Sequence, residues 1–395
     1  MRPDRGVGFD RTSGGASGRR GPRGVAPVRR VVIVGAGLIG LATGEALLRK
    51  GAAVELLERH PALGEEASGA AAGMLNPYGD AAGPGPLLEW VRAGLSYFPE
   101  AVYRLESRTG LDVRFRAGGM IEPAFSAEEE KALEGIHRWQ SAAGIRVEFL
   151  SPETVREREP AVRSGLRRAL WWPQAAQVDN RRLLEAYSAA FEGQGGRLRL
   201  GTAVEHFLTR GNRVTGVRTA AGEVSADQVI NCCGAQAGFD RGLPFLIPTE
   251  PVKGELLSFR TERPLFRAIL QCGDGYAVQR SEHELIAGTT SQRVGFDKQP
   301  TEAGRRKIFS VLERLTDRLA GHAPEGHWAG LRPASPDGLP LLGPTPLEGL
   351  WIAAGHFRNG VMMAPATGRW MAEAVWAGRP LNGLDAFLPD RFMVS

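Results

Sequence analysis

Three glycines, Gly35, Gly37 and Gly40, fall in G-x-G-x-x-G spacing inside the apolar stretch RRVVIVGAGLIGLATGEALLRKGAAVELLER, which begins at Arg29. This spacing suits a dinucleotide. The first glycine permits a tight turn, the second lets the backbone approach a pyrophosphate, and the third allows close packing of helix on sheet. The helix that opens at this turn offers N–H groups and partial positive charge to the phosphates. Glu58 follows about 20 residues on, where an acid accepts hydrogen bonds from ribose hydroxyls and argues against a 2′-phosphate. The pattern leaves NAD and FAD open. A second cluster, GHFRNGVMMAPATG at 355–368, sets His356, Arg358 and Asn359 just before an apolar helix start. Main-chain N–H groups and a helix dipole there would serve a negative or polar group.

Around these residues the chain reads as elements that could position them. The β-branched run 31–34 is a buried parallel strand, the segment through Leu48 a helix closed by Gly51, and AVELLER a second strand, making a βαβ unit. The small-residue stretch ASGAAAGMLNPYGD reads as a loop of little intrinsic structure. Helices are expected over 86–108, over 126–143, where SAEEE has a capping-box pattern, over 181–196 and over 303–320. Residues 197–233 alternate as a β-meander ending in the buried run DQVINCCG. Strands are expected at 252–259, 275–279 and 284–290, and GLWIAAG is a last buried strand before a final helix reaching about Ala377.

Composition sets outer bounds. With 395 residues, 43% hydrophobic and 24% charged, the chain can bury the core of two interleaved lobes and is not disordered as a whole. Net charge is +5, and much of it sits before residue 31 in an Arg-, Gly- and Pro-rich tail. This tail (1–29) reads as a disordered basic extension. It has no apolar signal segment, and Asp4 and Asp10 interrupt a transit-peptide pattern. No stretch reaches the roughly 18 apolar residues that span a membrane. The three cysteines form neither a disulfide framework nor zinc spacing, so a cytoplasmic protein with no metal and no nucleic-acid partner is expected.

Three segments taken together, GEEASGAAAGMLNP, GLRPASPDGLPLLG and GHFRNGVMMAPATG, resemble the D-amino-acid-oxidase-type FAD-dependent flavoproteins. Within that family they are most similar to the glycine oxidases of bacterial thiamine biosynthesis. The resemblance runs from about residue 30 to 390. It implies an α/β fold in which a Rossmann-type FAD-binding domain (30–85, 170–245 and 325–390) interleaves with a mostly antiparallel substrate domain (86–169 and 246–324). It implies non-covalent FAD in contact with Leu38, Ile39, Glu58, Arg59, Ala67, Ser68, Ala72, Gly73, Met74, Val204 and Gly234. The turn His356, Phe357, Arg358, Asn359, Gly360, Val361 and Met362 completes that contact set. Small residues at 68–73 and donors at 356–362 suit a flat ring that gains negative charge on reduction. Sarcosine-oxidase-like relatives attach FAD through a cysteine that would fall near Gly330, where this chain has none.

On the substrate side the same resemblance gives Arg332 and Tyr276 as carboxylate-binding residues and places Arg358 on the amino acid's other side. A planar guanidinium matches a carboxylate in bidentate fashion. No acid–base side chain is implied, since the substrate's Cα hydrogen passes directly to flavin N5, and His356 is read as a backbone-level contact. His206, His322 and His327 carry no motif. Ser291 stands where the family often has a bulky apolar residue over the substrate pocket, and Gly273 and Asp274 widen the entrance. The implied reaction is oxidation of glycine, sarcosine or small D-amino acids by dioxygen, giving imine or glyoxylate, ammonia and hydrogen peroxide, in a homotetramer. A quinone-reducing D-amino-acid dehydrogenase and a flavin-binding module without catalysis are the competing readings.

Overall fold

The computed structural model describes residues 30–76, 78, 83–239 and 241–393, so the basic tail lies outside the described residues. Strand β1 (Arg30–Val34), helix α1 (Leu38–Leu48) and strand β2 (Ala53–Leu57) form the expected βαβ unit. β1 is central in a six-stranded sheet, parallel to β2 on one side and to Gln228–Asn231 on the other. Arg197–Arg199 extends the parallel set beyond β2, and Leu350–Ala354 extends it beyond Gln228–Asn231. Leu341–Pro344 closes that edge antiparallel. Ile33 faces Ile230 on one neighbour and Leu56 on the other, each wholly buried, as a sheet covered on both faces requires. The meander is a separate three-stranded antiparallel sheet over 204–225.

The second large sheet has eight strands, mostly antiparallel, with the ladder from Gly326–Ala334 through Glu250–Arg260, Glu284–Gly288 and Gly275–Gln279 along one side. Gly326–Ala334 therefore pairs outside the nucleotide-binding part to which residues 325–390 were assigned from sequence. Its place is fixed by a nine-residue register running from Glu250 opposite Ala334 to Ser258 opposite Gly326. The capping box over the helix Ala127–Ala142 forms, with Ser126 Oγ accepting from the Glu129 N–H and the Glu129 carboxylate accepting from the Ser126 N–H.

The small-residue stretch departs from expectation. Ala67–Ala70 forms a short helix (α2), and Met74–Leu75 pairs with Ala176–Gln177. The carbonyls of α2 are satisfied from far along the chain. Asn180 Nδ2 donates to Ser68 O at 2.7 Å and Gly69 O at 3.1 Å, and Trp328 Nε1 donates to Ala70 O at 3.0 Å. Local propensity cannot supply such partners, which is why the segment reads as loop in isolation.

Helix α1 packs against the final helix Gly360–Ala377 at backbone distance. A Cβ on Gly368 would fall 2.5 Å from the Ala42 carbonyl. None of the described helices is long and apolar enough to cross a membrane. Gly368→Ala should destabilise the fold by about 1–3 kcal/mol, because backbone cannot move aside as a side chain can. Gly135→Ala, in an exposed helical position with nothing near its Cβ, should be neutral or stabilise by about 0.4–1 kcal/mol. Urea unfolding of the two variants, read as shifts of opposite sign or markedly different size, checks this.

Candidate active site

A cavity of about 480 Å³ opens where the parallel strands end. Val34, Leu57, Cys232 and Ala354 line it from the carboxyl ends of four neighbouring strands, the usual place for a ligand in an open α/β sheet. The second sheet supplies the facing wall through Gly254, Tyr276, Gly330 and Arg332.

At the nucleotide end the glycine-rich turn is tied to its surroundings. The Gly35 N–H donates to Leu57 O at 2.8 Å. Glu58 accepts from the Ala36 N–H at 2.9 Å and the His60 N–H at 2.9 Å, so one carboxylate orders both the turn and its own loop. Gly35, Gly37, Ile39, Glu58 and Arg59 line the cavity. Gly40 does not; a Cβ there would meet the Gly35 carbonyl at 2.0 Å, so it serves helix–turn packing. Leu38 also stays out of the lining. Its side chain is buried in the core, and its N–H donates to Ser68 Oγ at 3.0 Å. Ala67, Ser68, Ala72, Gly73 and Met74 reach the cavity from the α2 segment, and Val204 and Gly234 from the far side. Arg59, His60 and Lys298 surround Glu66. Burial pushes the Glu66 carboxyl up, but the His60 hydrogen bond and the charges of Lys298 and Arg59 outweigh it and hold the group below its ordinary value.

At the other end the second sheet presents two polar side chains across glycines. The Arg332 guanidinium lies over Gly254, where a Cβ would come within 2.2 Å of Nη2. Nη1 donates to Thr290 O at 3.1 Å and Nη2 to Thr289 Oγ1 at 2.7 Å. The Tyr276 ring lies over Gly288, its cross-strand partner, where a Cβ would come within 2.8 Å of the phenol oxygen. Burial pushes the Tyr276 phenol up, partly offset by Arg332, by a hydrogen bond with Thr289 and by Arg358. The phenol is thus neutral and close enough to both guanidiniums to feel their charge.

The turn 356–361 lies along the same cavity, while Met362 is buried behind it. Arg358 is exposed, with its guanidinium carbon 5.2 Å from the centre of the Phe357 ring. His356 is 3% exposed, beside the Trp90 ring, with Nε2 3.1 Å from Thr367 Oγ1. Burial takes its imidazole down to about 3.

Two expectations about the pocket come out differently. Ser291 is exposed and outside the cavity lining: the ladder against strand Glu250–Arg260 lapses after Gly288 and resumes with Gln292 opposite Lys253, shifted by one residue. Gly273 and Asp274 do line the cavity. Sequence reasoning did not find Asn76, Gln271 and Thr289, which line it too. Gln271 gets there as the cross-strand partner of Tyr276, a fact of register that no motif carries. Among the described residues no group of three or more His, Cys, Asp or Glu is arranged to hold a metal.

A glycine-rich strand–helix turn, an ordering acid after the second strand and a cavity walled by an antiparallel sheet with an arginine and a tyrosine define a dinucleotide-dependent oxidoreductase of two-sheet design. The chain belongs to the FAD dependent oxidoreductase family, whose pattern it matches over residues 30–374, and FAD is its cofactor. It is 33% identical to a glycine oxidase of Pseudomonas aeruginosa over 361 residues, 89% of this chain and 96% of that one. It is 32% identical to the bifunctional protein ThiO/ThiG of Synechocystis over 92% of its own length and 54% of the relative's, so it spans about half of that protein. The crystal structure of glycine oxidase from Geobacillus kaustophilus superposes with a TM-score of 0.86 at 29% identity, covering 93% of this chain and 100% of that one.

The buried His356 has a pH consequence. Its folded value, about 3, lies below the ordinary 6.5. Between those values the unfolded chain binds a proton that the folded chain refuses, so His356 makes stability fall as pH drops from 6.5 toward 3. Thermal melts at pH 7 and pH 5 should show a larger acid-side loss for the wild type than for His356→Gln. Equal losses would contradict the neutral assignment.

Proposed function

We propose that this FAD-dependent oxidoreductase oxidises the Cα–N bond of glycine and of small amines such as sarcosine or small D-amino acids. The observation that carries the reading is that the Arg332 guanidinium and the Tyr276 phenol, each lying over a glycine of the second sheet, line the same cavity as the glycine-rich turn. A guanidinium and a neutral phenol side by side form a receptor for one carboxylate. The names of two relatives, glycine oxidases, favour an amino acid as its owner.

The residues lining the cavity suit FAD. The N-terminus of α1 would hold the pyrophosphate, and Glu58 would hold the ribose. Gly73, whose Cβ would fall 1.9 Å from Val178 O, and its small neighbours would let backbone approach the flavin ring. The turn 356–361 would supply main-chain donors to it. Attachment is non-covalent: a cysteine at Gly330 would press its Cβ to 2.6 Å from that of Ala70. When bound, FAD supplies two-electron acceptance from the substrate's Cα–H, with dioxygen as the final acceptor and hydrogen peroxide as its product.

The protein's own part is placement. Arg332 and Tyr276 hold the substrate carboxylate, and Arg358 closes the outer side. That fixes Cα against the cofactor and removes the orientational cost of the encounter. No general acid or base is needed from His356, which is neutral and engaged with Thr367. Water then hydrolyses the imine to glyoxylate and ammonia, or the imine is consumed in thiazole assembly, the role that the ThiO/ThiG relative brings to mind.

The test is the visible spectrum of the purified protein with glycine in the absence of oxygen. Bleaching of the flavin bands, reversed by air, is the expected result; bands untouched by glycine, sarcosine and D-alanine would sink the reading. Arg332→Ala should retain flavin and weaken glycine use by about 2–5 kcal/mol in kcat/KM, chiefly through KM. Unchanged turnover in that variant would remove Arg332 from the site.

A further inference from the structure

Thr289 occupies a position that neither the motifs nor the family pattern singles out. Its side chain is 4% exposed, yet it lines the cavity between the two proposed carboxylate-binding groups. Oγ1 accepts from Arg332 Nη2 at 2.7 Å, the shorter of the two bonds that guanidinium makes to this wall. The same hydroxyl donates toward Glu255 O or Thr290 O, each 3.2 Å away. The Tyr276 phenol lies close by, over Gly288, the residue that precedes Thr289. One hydroxyl thus ties strand Glu250–Arg260 to the guanidinium, beside the phenol at the cavity's end.

The need for such a tie follows from the glycines beneath. With no Cβ at Gly254 or Gly288, the Arg332 guanidinium and the Tyr276 ring lie directly on backbone, and hydrogen bonds rather than a side chain beneath it set where the guanidinium rests. A long arginine side chain has several rotatable bonds, and ordering it has an entropic cost of up to ~2 kcal/mol. Two anchors of different kinds meet this cost before substrate arrives: the fixed Thr290 carbonyl and the Thr289 hydroxyl.

We propose that Thr289 is the positioning residue of the carboxylate clamp, its hydroxyl setting the Arg332 guanidinium beside the Tyr276 phenol so that both meet the same carboxylate. The inference rests on the reading of Arg332 and Tyr276 given above. Thr289 touches neither cofactor nor reacting atoms in this role. It acts through Arg332, so its removal should affect ligands that carry a carboxylate and leave the rest of the site as it was.

The experiment uses the FAD-loaded protein with acetate, a carboxylate without an amine, and acetamide, its neutral counterpart, followed by the perturbation of the flavin absorption bands. Thr289→Val should raise the acetate Kd about ten- to hundredfold, the loss of a hydrogen bond to a charged group. It should leave acetamide binding unchanged. Thr289→Ser, which keeps the hydroxyl, should stay within about threefold of wild type for acetate, since the bond is retained. Glycine KM should follow the acetate Kd while kcat holds. Thr289→Ala removes the hydroxyl without added bulk and decides the matter where the valine variant loses flavin.

An unchanged acetate Kd in Val and Ala variants overturns the proposal, as does a serine variant impaired as badly as valine. Loss of flavin from both Val and Ala variants would assign Thr289 to cofactor retention and overturn it equally. A wild type that binds no acetate is a different failure: it removes the carboxylate clamp itself, and this inference with it.

Discussion

Helix α1 is wedged between surfaces that leave no space for a side chain at the points of contact. On one side Gly40 meets the carbonyl of the turn from which the helix starts, with 2.0 Å between that oxygen and an imagined Cβ. On the other, Gly368 of the final helix meets the Ala42 backbone at 2.5 Å. The helix N-terminus is thereby held against the ends of the parallel strands, and the cavity opens at that point. The Glu58 carboxylate completes the arrangement by taking the Ala36 N–H of the turn. Helix, turn and acid form one unit, in which helix dipole, glycine-rich backbone and carboxylate coincide at the mouth of the cavity.

The opposite wall is built on a different principle. Its polar groups stand on an antiparallel sheet whose register brings residues distant in sequence to one spot. Arg332 and Tyr276 are 56 positions apart, yet each lies over a glycine of a neighbouring strand and both line one cavity. The charge of Arg332 is not left bare in a mostly apolar cavity, since its terminal nitrogens are hydrogen-bonded to the wall. His356 shows the complementary solution. Where no charged partner is at hand, burial keeps the imidazole neutral and a threonine hydroxyl satisfies it.

Legibility followed the range of the interactions. The nucleotide end could be read because its signal is local: strand, G-x-G-x-x-G, helix and acid lie within 30 consecutive residues. The resemblance of three short segments extended that reading to the far wall, and most residues named from it do line the cavity. Leu38 and Met362 do not, because a contact set carried over by position does not say which neighbour in a helix turn faces inward. Ser291 was misjudged for the same kind of reason: it lies where the ladder shifts by one residue between Gly288 and Gln292, and such a shift decides whether a residue faces the cavity or solvent. The α2 segment could not be read at all, as its hydrogen-bond partners are Asn180 and Trp328.

By itself the sequence determined the class of cofactor fold, the elements around the glycine-rich turn and the residue types available for a carboxylate. These are properties of neighbours along the chain, set by backbone sterics and by the period of the apolar pattern. Only the tertiary structure decided that Gly254 and Gly288 form a bare floor, that Gln271 stands beside Tyr276, and that the Thr289 hydroxyl holds the Arg332 guanidinium that lies on that floor. Those are consequences of strand register, in which a shift of one residue turns every side chain to the other face, and register is fixed by the packing of the whole sheet.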